Sequence, residues 1–141
     1  MERFWDKNNN YAAGIIHEST FWTLEVSYRQ HTIGSVIIFC KRPVEKITDL
    51  TSDELLDLQN IMKKYQDALD KIWQPDRYNY LQLGNELHNL HFHVIPRYKK
   101  DRTYANLNWH DPTFGTVPTW SKKEFDEELI IKIREEIKKV L

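Results

Sequence analysis

Trp22, Leu24 and Val26 alternate with Thr23, Glu25 and Ser27, so the segment from Phe21 to Ser27 has one apolar face and one polar face. That period of two predicts a half-buried β-strand. After Gly34, a turn signal, the run Ser35 to Cys40 is β-branched and aromatic with almost no polar break, as an interior strand is, and Pro43 ends it. The period then lengthens. Thr51-Ser-Asp-Glu54 matches a capping box, and Leu55, Leu58, Met62, Tyr65, Leu69 and Ile72 recur at three and four residues. This predicts a helix to about Trp73 with one stripe facing a sheet.

Arg77 to Leu83 predicts another strand, Gly84-Asn85-Glu86 a turn, and Asn89 to Arg97 a further strand whose Pro96 places its end at or near a sheet edge. A second capping box, Ser121 to Glu124, predicts a C-terminal helix with the stripe Phe125, Leu129, Ile133, Ile137 and Val140. Between these lies DRTYANLNWHDPTFGTVPTW, with two prolines and no clear period, which predicts a long functional loop. The first twenty residues give only a turn signal, at Asn8 to Asn10. The sum is class α+β, an antiparallel sheet with helices on one side, and 141 residues suit one domain.

Charge and cysteine narrow the function classes. Lys plus Arg number 20 against 21 for Asp plus Glu, so no global field favours nucleic acid or an anionic membrane, and any phosphate binding is local. The single cysteine, Cys40, excludes an internal disulfide, and its apolar setting SVIIFC predicts a buried, inert thiol rather than a nucleophile. MERFWDKNNNY lacks the roughly 7 to 15 apolar residues of a signal-peptide core. Nor does any stretch approach the roughly 20 apolar residues of a membrane span. The expected setting is reducing and cytoplasmic.

Within Asn89-Leu90-His91-Phe92-His93-Val94-Ile95, alternation puts Asn89, His91, His93 and Ile95 on one face and Leu90, Phe92 and Val94 on a core face. Two imidazoles then stand roughly 6 to 7 Å apart along the strand. Histidine titrates nearest neutral pH, so such a pair offers a nucleophilic nitrogen and a proton donor together. The plainer alternative is two histidines on a solvated strand face. Arg97, Lys99, Lys100 and Arg102 put four cations in six residues just beyond, fit for phosphate or for a solvated loop. Trp109, Phe114 and Trp120 would stack a purine or pack the core, and His17, His31 and His110 carry no supporting pattern.

The string LQLGNELHNLHFHVIPRY resembles the signature of the histidine triad (HIT) family, in which His-φ-His-φ-His-φ-φ follows a turn containing Gly, Asn or Gln and often runs into Ile-Pro-Arg. GSVIIFCKRPVEKITDLTSDELLDL is similar to the family's strand, basic turn and sheet-covering helix, and WHDPTFG resembles a segment beyond the triad strand of some bacterial members. The resemblance covers roughly residues 20 to 120 and implies a sheet of about five strands, with the C-terminal helix beyond it at about 121 to 141. It implies that the middle histidine, here His91, attacks a nucleotide's α-phosphorus to give a nucleotidyl-histidine. His93 would contact the phosphate oxygens, and Asn85 would serve as a phosphate or leaving-group donor. Asn89 and Arg97 join the expected substrate-binding set. A homodimer acting on a dinucleoside polyphosphate or an adenylate conjugate is implied, with no protein-bound cofactor and a divalent metal entering, if at all, with the nucleotide.

The chain departs from the signature at three places. Asn89 stands at the first triad position, Lys41-Arg42-Pro43 stands at a basic-basic-His turn, and Ser27 stands where many members carry an acid for the ribose hydroxyls. The resemblance implies that the backbone carbonyl at residue 89 orients the nucleophile, so the first change is compatible with activity. His88 points to the opposite face unless a bulge intervenes. Beside a hydrolase, the residues leave open a nucleotidyltransferase, a zinc site of His91 and His93 with His110 or His88, and a catalytically degenerate nucleotide-binding module.

Overall fold

The computed structural model describes residues 3–141. Its elements run β1 (Ile15–Glu18), β2 (Trp22–Val26), β3 (Val36–Cys40), α1 (Ser52–Ile72), β4 (Arg77–Leu81), β5 (His91–Arg97), β6 (Arg102–Tyr104), β7 (Leu107–Trp109) and α2 (Glu127–Lys138). Single 3-10 turns sit at Ala12–Gly14 and Ile47–Asp49. The first five strands form one antiparallel sheet in the order β1-β2-β3-β5-β4, which with the two helices makes the class α+β.

Trp22, Leu24 and Val26 of β2, Val36, Ile38 and Cys40 of β3, and Leu90, Phe92 and Val94 around β5 share one core with Leu58, Tyr65 and Leu69 of α1. Ile130, Ile133 and Ile137 of α2 complete it, fully enclosed. Each such aliphatic side chain stabilises the fold by about 1.5 to 3 kcal/mol. At the start of α1 both capping-box bonds form, Glu54 N to Thr51 Oγ1 at 3.1 Å and Thr51 N to Glu54 Oε1 at 2.9 Å. The stripe is rotated from the expected one: Ile61 and Ala68 are buried, whereas Leu55 is 45% exposed.

One further expectation, the edge at Pro96, is met only at the strand's end, and two others are corrected. β5 lies inside the sheet, between β3 and β4, and Pro96 pairs with Tyr78 of β4 beyond the last β3 pair, Val36 with Val94. The segment from 101 to 120 is not one structureless loop, because β6 and β7 form a hairpin whose Ala105 and Asn106 take positive φ of 53° and 61°. Finally, Ser121 to Glu124 does not cap a helix. Glu124 accepts a hydrogen bond from Tyr11 Oη at 2.8 Å, and Phe125 N donates to Tyr28 O at 2.8 Å, so the chain is tied down there and α2 starts only after Asp126, whose carboxylate accepts from Leu129 N.

The β2–β3 turn is built tightly. Gln30 Nε2 donates to Ser27 O at 2.6 Å and to Ser35 O at 2.7 Å, while its Oε1 accepts from Gly34 N at 2.8 Å. Thr32 Oγ1 donates to Pro96 O, which ties the turn to β5. Gly34 has φ of +93°, and a Cβ there would meet Leu69 Cδ1 at 2.6 Å. Tyr65 Oη reaches Gly34 O at 2.6 Å, so the turn is clamped onto α1 from below.

Candidate active site

The pleat of β5 that sends Phe92 into the core sends His91 and His93 to the opposite face of the sheet, where His91 is paired across the ladder with Phe39 and His93 with Ile37. Phe39 is paired in turn with Thr23, and Ile37 with Glu25. Over this face lies the segment from residue 3 to 11, and a cavity of about 440 Å3 opens there, lined by His91 and His93 among others. Trp5 stacks on Phe39 at 5.1 Å, and Phe39 stacks on His91 at 5.4 Å. Arg3 holds the segment down by an ion pair with Glu25, and Trp5 Nε1 donates to Glu25 Oε2 at 3.3 Å. Burial raises the Glu25 carboxyl above its ordinary range, against the hydrogen bond from Thr23 and the charge of Arg3.

His91 Nδ1 lies 2.6 Å from Asn89 O. A carbonyl oxygen only accepts, so Nδ1 carries the proton and Nε2 keeps its lone pair. Burial lowers the pKa of His91 despite that hydrogen bond, which keeps the ring neutral at pH 7. The His91 and His93 rings lie 5.1 Å apart between centroids at 72°, closer than strand spacing alone gives. His93 is pushed down to about 3 by burial and by the neighbouring His91 and His31. Its Nδ1 is enclosed and has no hydrogen-bond partner among the described residues. The pair is thus a fixed lone-pair nitrogen beside a second neutral imidazole.

The other expected site residues divide. Asn85 lines the cavity from the exposed loop after Gly84. Asn89 is buried outside the cavity lining; its Nδ2 donates to Cys40 O at 3.1 Å, so it serves the site through its backbone carbonyl. Arg97 is not brought to the cavity. Its guanidinium is buried in a forked pair with Asp111, at 2.7 Å and 3.0 Å, and also donates to Asn79 Oδ1 and Thr116 O. Its donors are spent on the fold. Ser27 lines the cavity, but its hydroxyl donates to Arg29 O at 2.9 Å inside the turn. The Cys40 thiol is buried and raised by burial, as an inert core group is.

Of the loop aromatics, Trp120 lines the cavity and meets the His93 ring edge-on at 4.8 Å, whereas Trp109 is in the core against Phe125. His110 pairs with Asp101 at the surface. No group of three or more His, Cys, Asp or Glu side chains comes together to hold a metal ion among the described residues. No helix of the described residues is long and apolar enough to cross a membrane. Among the cavity groups that were not legible as site residues are Trp5 and Arg3 of the N-terminal segment and His31 of the β2–β3 turn. The tie between that turn and Pro96, three residues past His93 on β5, is the feature that brings His31 there.

Comparison with known proteins places the fold and the family. The chain is 32% identical over 79 residues to the asymmetrical bis(5'-nucleosyl)-tetraphosphatase of Schizosaccharomyces pombe, a match that takes in 52% of this chain and 43% of that protein. It superposes on a histidine triad protein from Marinobacter aquaeolei with a TM-score of 0.67 at 20% identity, covering 95% of this chain and 93% of the other. A diadenosine triphosphate hydrolase of Plasmodium falciparum shares the fold at a TM-score of 0.65 and 12% identity, over 90% of this chain and 75% of its own. The HIT domain model matches residues 26–100, more than half of the chain, and the chain therefore belongs to the histidine triad family.

Proposed function

We propose that this protein is a hydrolase that cleaves a phosphoanhydride or phosphoramidate bond at the α-phosphate of a nucleotide, through a nucleotidyl-histidine formed on His91. The observation that carries the reading is the 2.6 Å contact of His91 Nδ1 with Asn89 O. It leaves the Nε2 lone pair facing a cavity large enough for a nucleotide and stabilises the positive charge the ring gains on attack. In the first step the Nε2–P bond forms and the bond from phosphorus to the leaving group breaks, the leaving group departing with its electron pair. In the second, water attacks phosphorus, the P–Nε2 bond breaks back to His91, and the mononucleotide and one proton are released.

In this reading His93, beside His91, meets the non-bridging oxygens, and Asn85, on the loop that lines the cavity, donates to the phosphate chain or the departing group. Arg97, buried against Asp111, has no part in the mechanism. The substrate is a dinucleoside polyphosphate or an adenylate conjugate; a divalent cation would enter with the polyphosphate, and no protein-bound cofactor is called for. An acceptor other than water would make the same intermediate a transferase. Diadenosine polyphosphates and adenylate and guanylate conjugates should be screened for released mononucleotide with wild type and His91→Ala. Release by the wild type that His91→Ala abolishes supports the reading. Release that persists undiminished in His91→Ala, or no release from any substrate, removes it.

A further inference from the structure

Asn89 leaves the cavity with two histidines on β5, yet a third imidazole reaches it from outside the strand. His31, on the β2–β3 turn, is 8% exposed and lines the same cavity as His91 and His93. Its ring stacks on Trp120 at 4.2 Å, and Trp120 also meets the His93 ring. Ser121 N donates to His31 Nδ1 at 2.8 Å. A backbone N–H only donates, so Nδ1 is the acceptor and the proton of the neutral ring sits on Nε2. This is the reverse of His91. Burial and the charge of Arg29 push His31 down to about 4, which keeps that tautomer neutral at pH 7.

His31 Nε2 is enclosed and has no hydrogen-bond partner among the described residues, as is His93 Nδ1. Buried donors without partners are uncommon in folded proteins and call for a group that completes them. The turn is not free to swing the ring elsewhere, because Gln30 closes it internally, Thr32 ties it to Pro96 and Gly34 is clamped on α1. Arg29 and Lys122 also line this cavity and offer an anion two cations, while of its four carboxylates Asp6 and Glu25 face Arg3, Glu124 accepts from Tyr11 and Glu86 lies on the exposed loop.

We propose that His31 is a further substrate-contacting residue: when the packing that encloses its ring opens to admit the substrate, its Nε2–H donates to an oxygen of the phosphate chain beside His93. The site then draws its third imidazole from the β2–β3 turn, where it acts as an uncharged donor. The inference rests on the hydrolase reading above.

Two substitutions separate this role from a structural one. His31→Asn keeps an acceptor near the Nδ1 position for Ser121 N–H and removes the donor at Nε2. His31→Gln does the opposite. Loss of a hydrogen bond to a charged group should lower kcat/KM of His31→Asn roughly 10- to 100-fold, with little change in melting temperature. His31→Gln should recover most of the rate despite lower stability. A His31→Asn variant as active as wild type, or a His31→Gln variant no better than His31→Asn, overturns the proposal. In wild type labelled with nitrogen-15, the His31 Nε2–H signal should shift on addition of inorganic phosphate or adenosine monophosphate and stay put with adenosine. A signal that ignores phosphate while those of His91 and His93 move also overturns it. Wild type that neither turns over a nucleotide conjugate nor binds adenosine monophosphate removes the hydrolase reading and this inference together, whereas active wild type with an unaffected His31→Asn removes the inference alone.

Discussion

Asp111→Ala tests where Arg97 does its work. The Arg97 and Asp111 side chains are 3% and 1% exposed, and they meet through a forked pair, Nε to Oδ2 at 2.7 Å and Nη2 to Oδ1 at 3.0 Å. Removing the carboxylate leaves a buried guanidinium with a full charge and only neutral partners, Asn79 Oδ1, Thr116 O and Thr113 Oγ1. Breaking a buried pair in this way costs about 3 to 5 kcal/mol. For a domain of this size that lowers the melting temperature by about 10 to 20 °C. Urea unfolding and calorimetry read both numbers, and Arg97→Met with Asp111→Leu should restore much of the loss because no charge is then stranded. Burial works to raise the Asp111 carboxyl, but the hydrogen bonds from Arg97 and from Tyr98 N hold it below its ordinary 3.8. A depressed carboxyl stabilises the fold above its unfolded pKa, so this contribution is full above about pH 4 and is lost as pH falls through the lower folded value. The folded Asp111→Ala protein should keep a kcat/KM close to that of wild type. A destabilisation under about 1 kcal/mol, or a phosphate-binding defect in the folded protein, would refute the assignment of Arg97 to the fold.

Three other outcomes are expected. Because burial lowers the His91 pKa below 6.5, kcat/KM should stay level from pH 8 to 6.5 and fall only at lower pH as the ring takes a proton; an inflection above 7 that follows His91 contradicts this. Asn89→Ala should cost about 1 kcal/mol for the lost Cys40 hydrogen bond while leaving kcat within a few-fold, since the group that holds His91 is backbone; a collapse of kcat with stability intact would show that the side chain takes part. The free edge at β4, with Tyr80, Leu83 and Leu87 exposed nearby, should be covered in a homodimer, and sedimentation showing only a 17.0 kDa species at micromolar concentration counts against it.

Local pattern carried most of the fold and about half of the site. β2, β3 and α1 are readable because period and capping chemistry agree there, down to both bonds between Thr51 and Glu54. The failures have two causes, a tertiary contact that overrides a local signal and a local signal that is missing. Ser121 to Glu124 has the letters of a capping box, but Tyr11 takes the Glu124 carboxylate and Tyr28 O takes Phe125 N, so the helix waits for Asp126. The β6–β7 hairpin turns through Ala105 and Asn106 without the glycine that usually marks such a turn. In the site, His91 and His93 are legible because a period of two places both on one face. Arg97 obeys the same alternation, yet Asp111 arrives from a distant loop and occupies it. His31 and Trp5 come to the cavity through chain segments that share no period with β5, so no spacing in the sequence announces them.

The central claim is a covalent nucleotide on His91, and stereochemistry tests it most directly. An adenylate conjugate made chiral at the α-phosphorus, with sulfur in place of one oxygen, is hydrolysed in water carrying a heavy oxygen isotope, and the configuration of the released nucleotide is determined. Attack by His91 Nε2 followed by attack of water gives two in-line displacements, so the account predicts overall retention. Inversion would mean that water attacks the substrate in a single step, and would contradict the nucleotidyl-histidine.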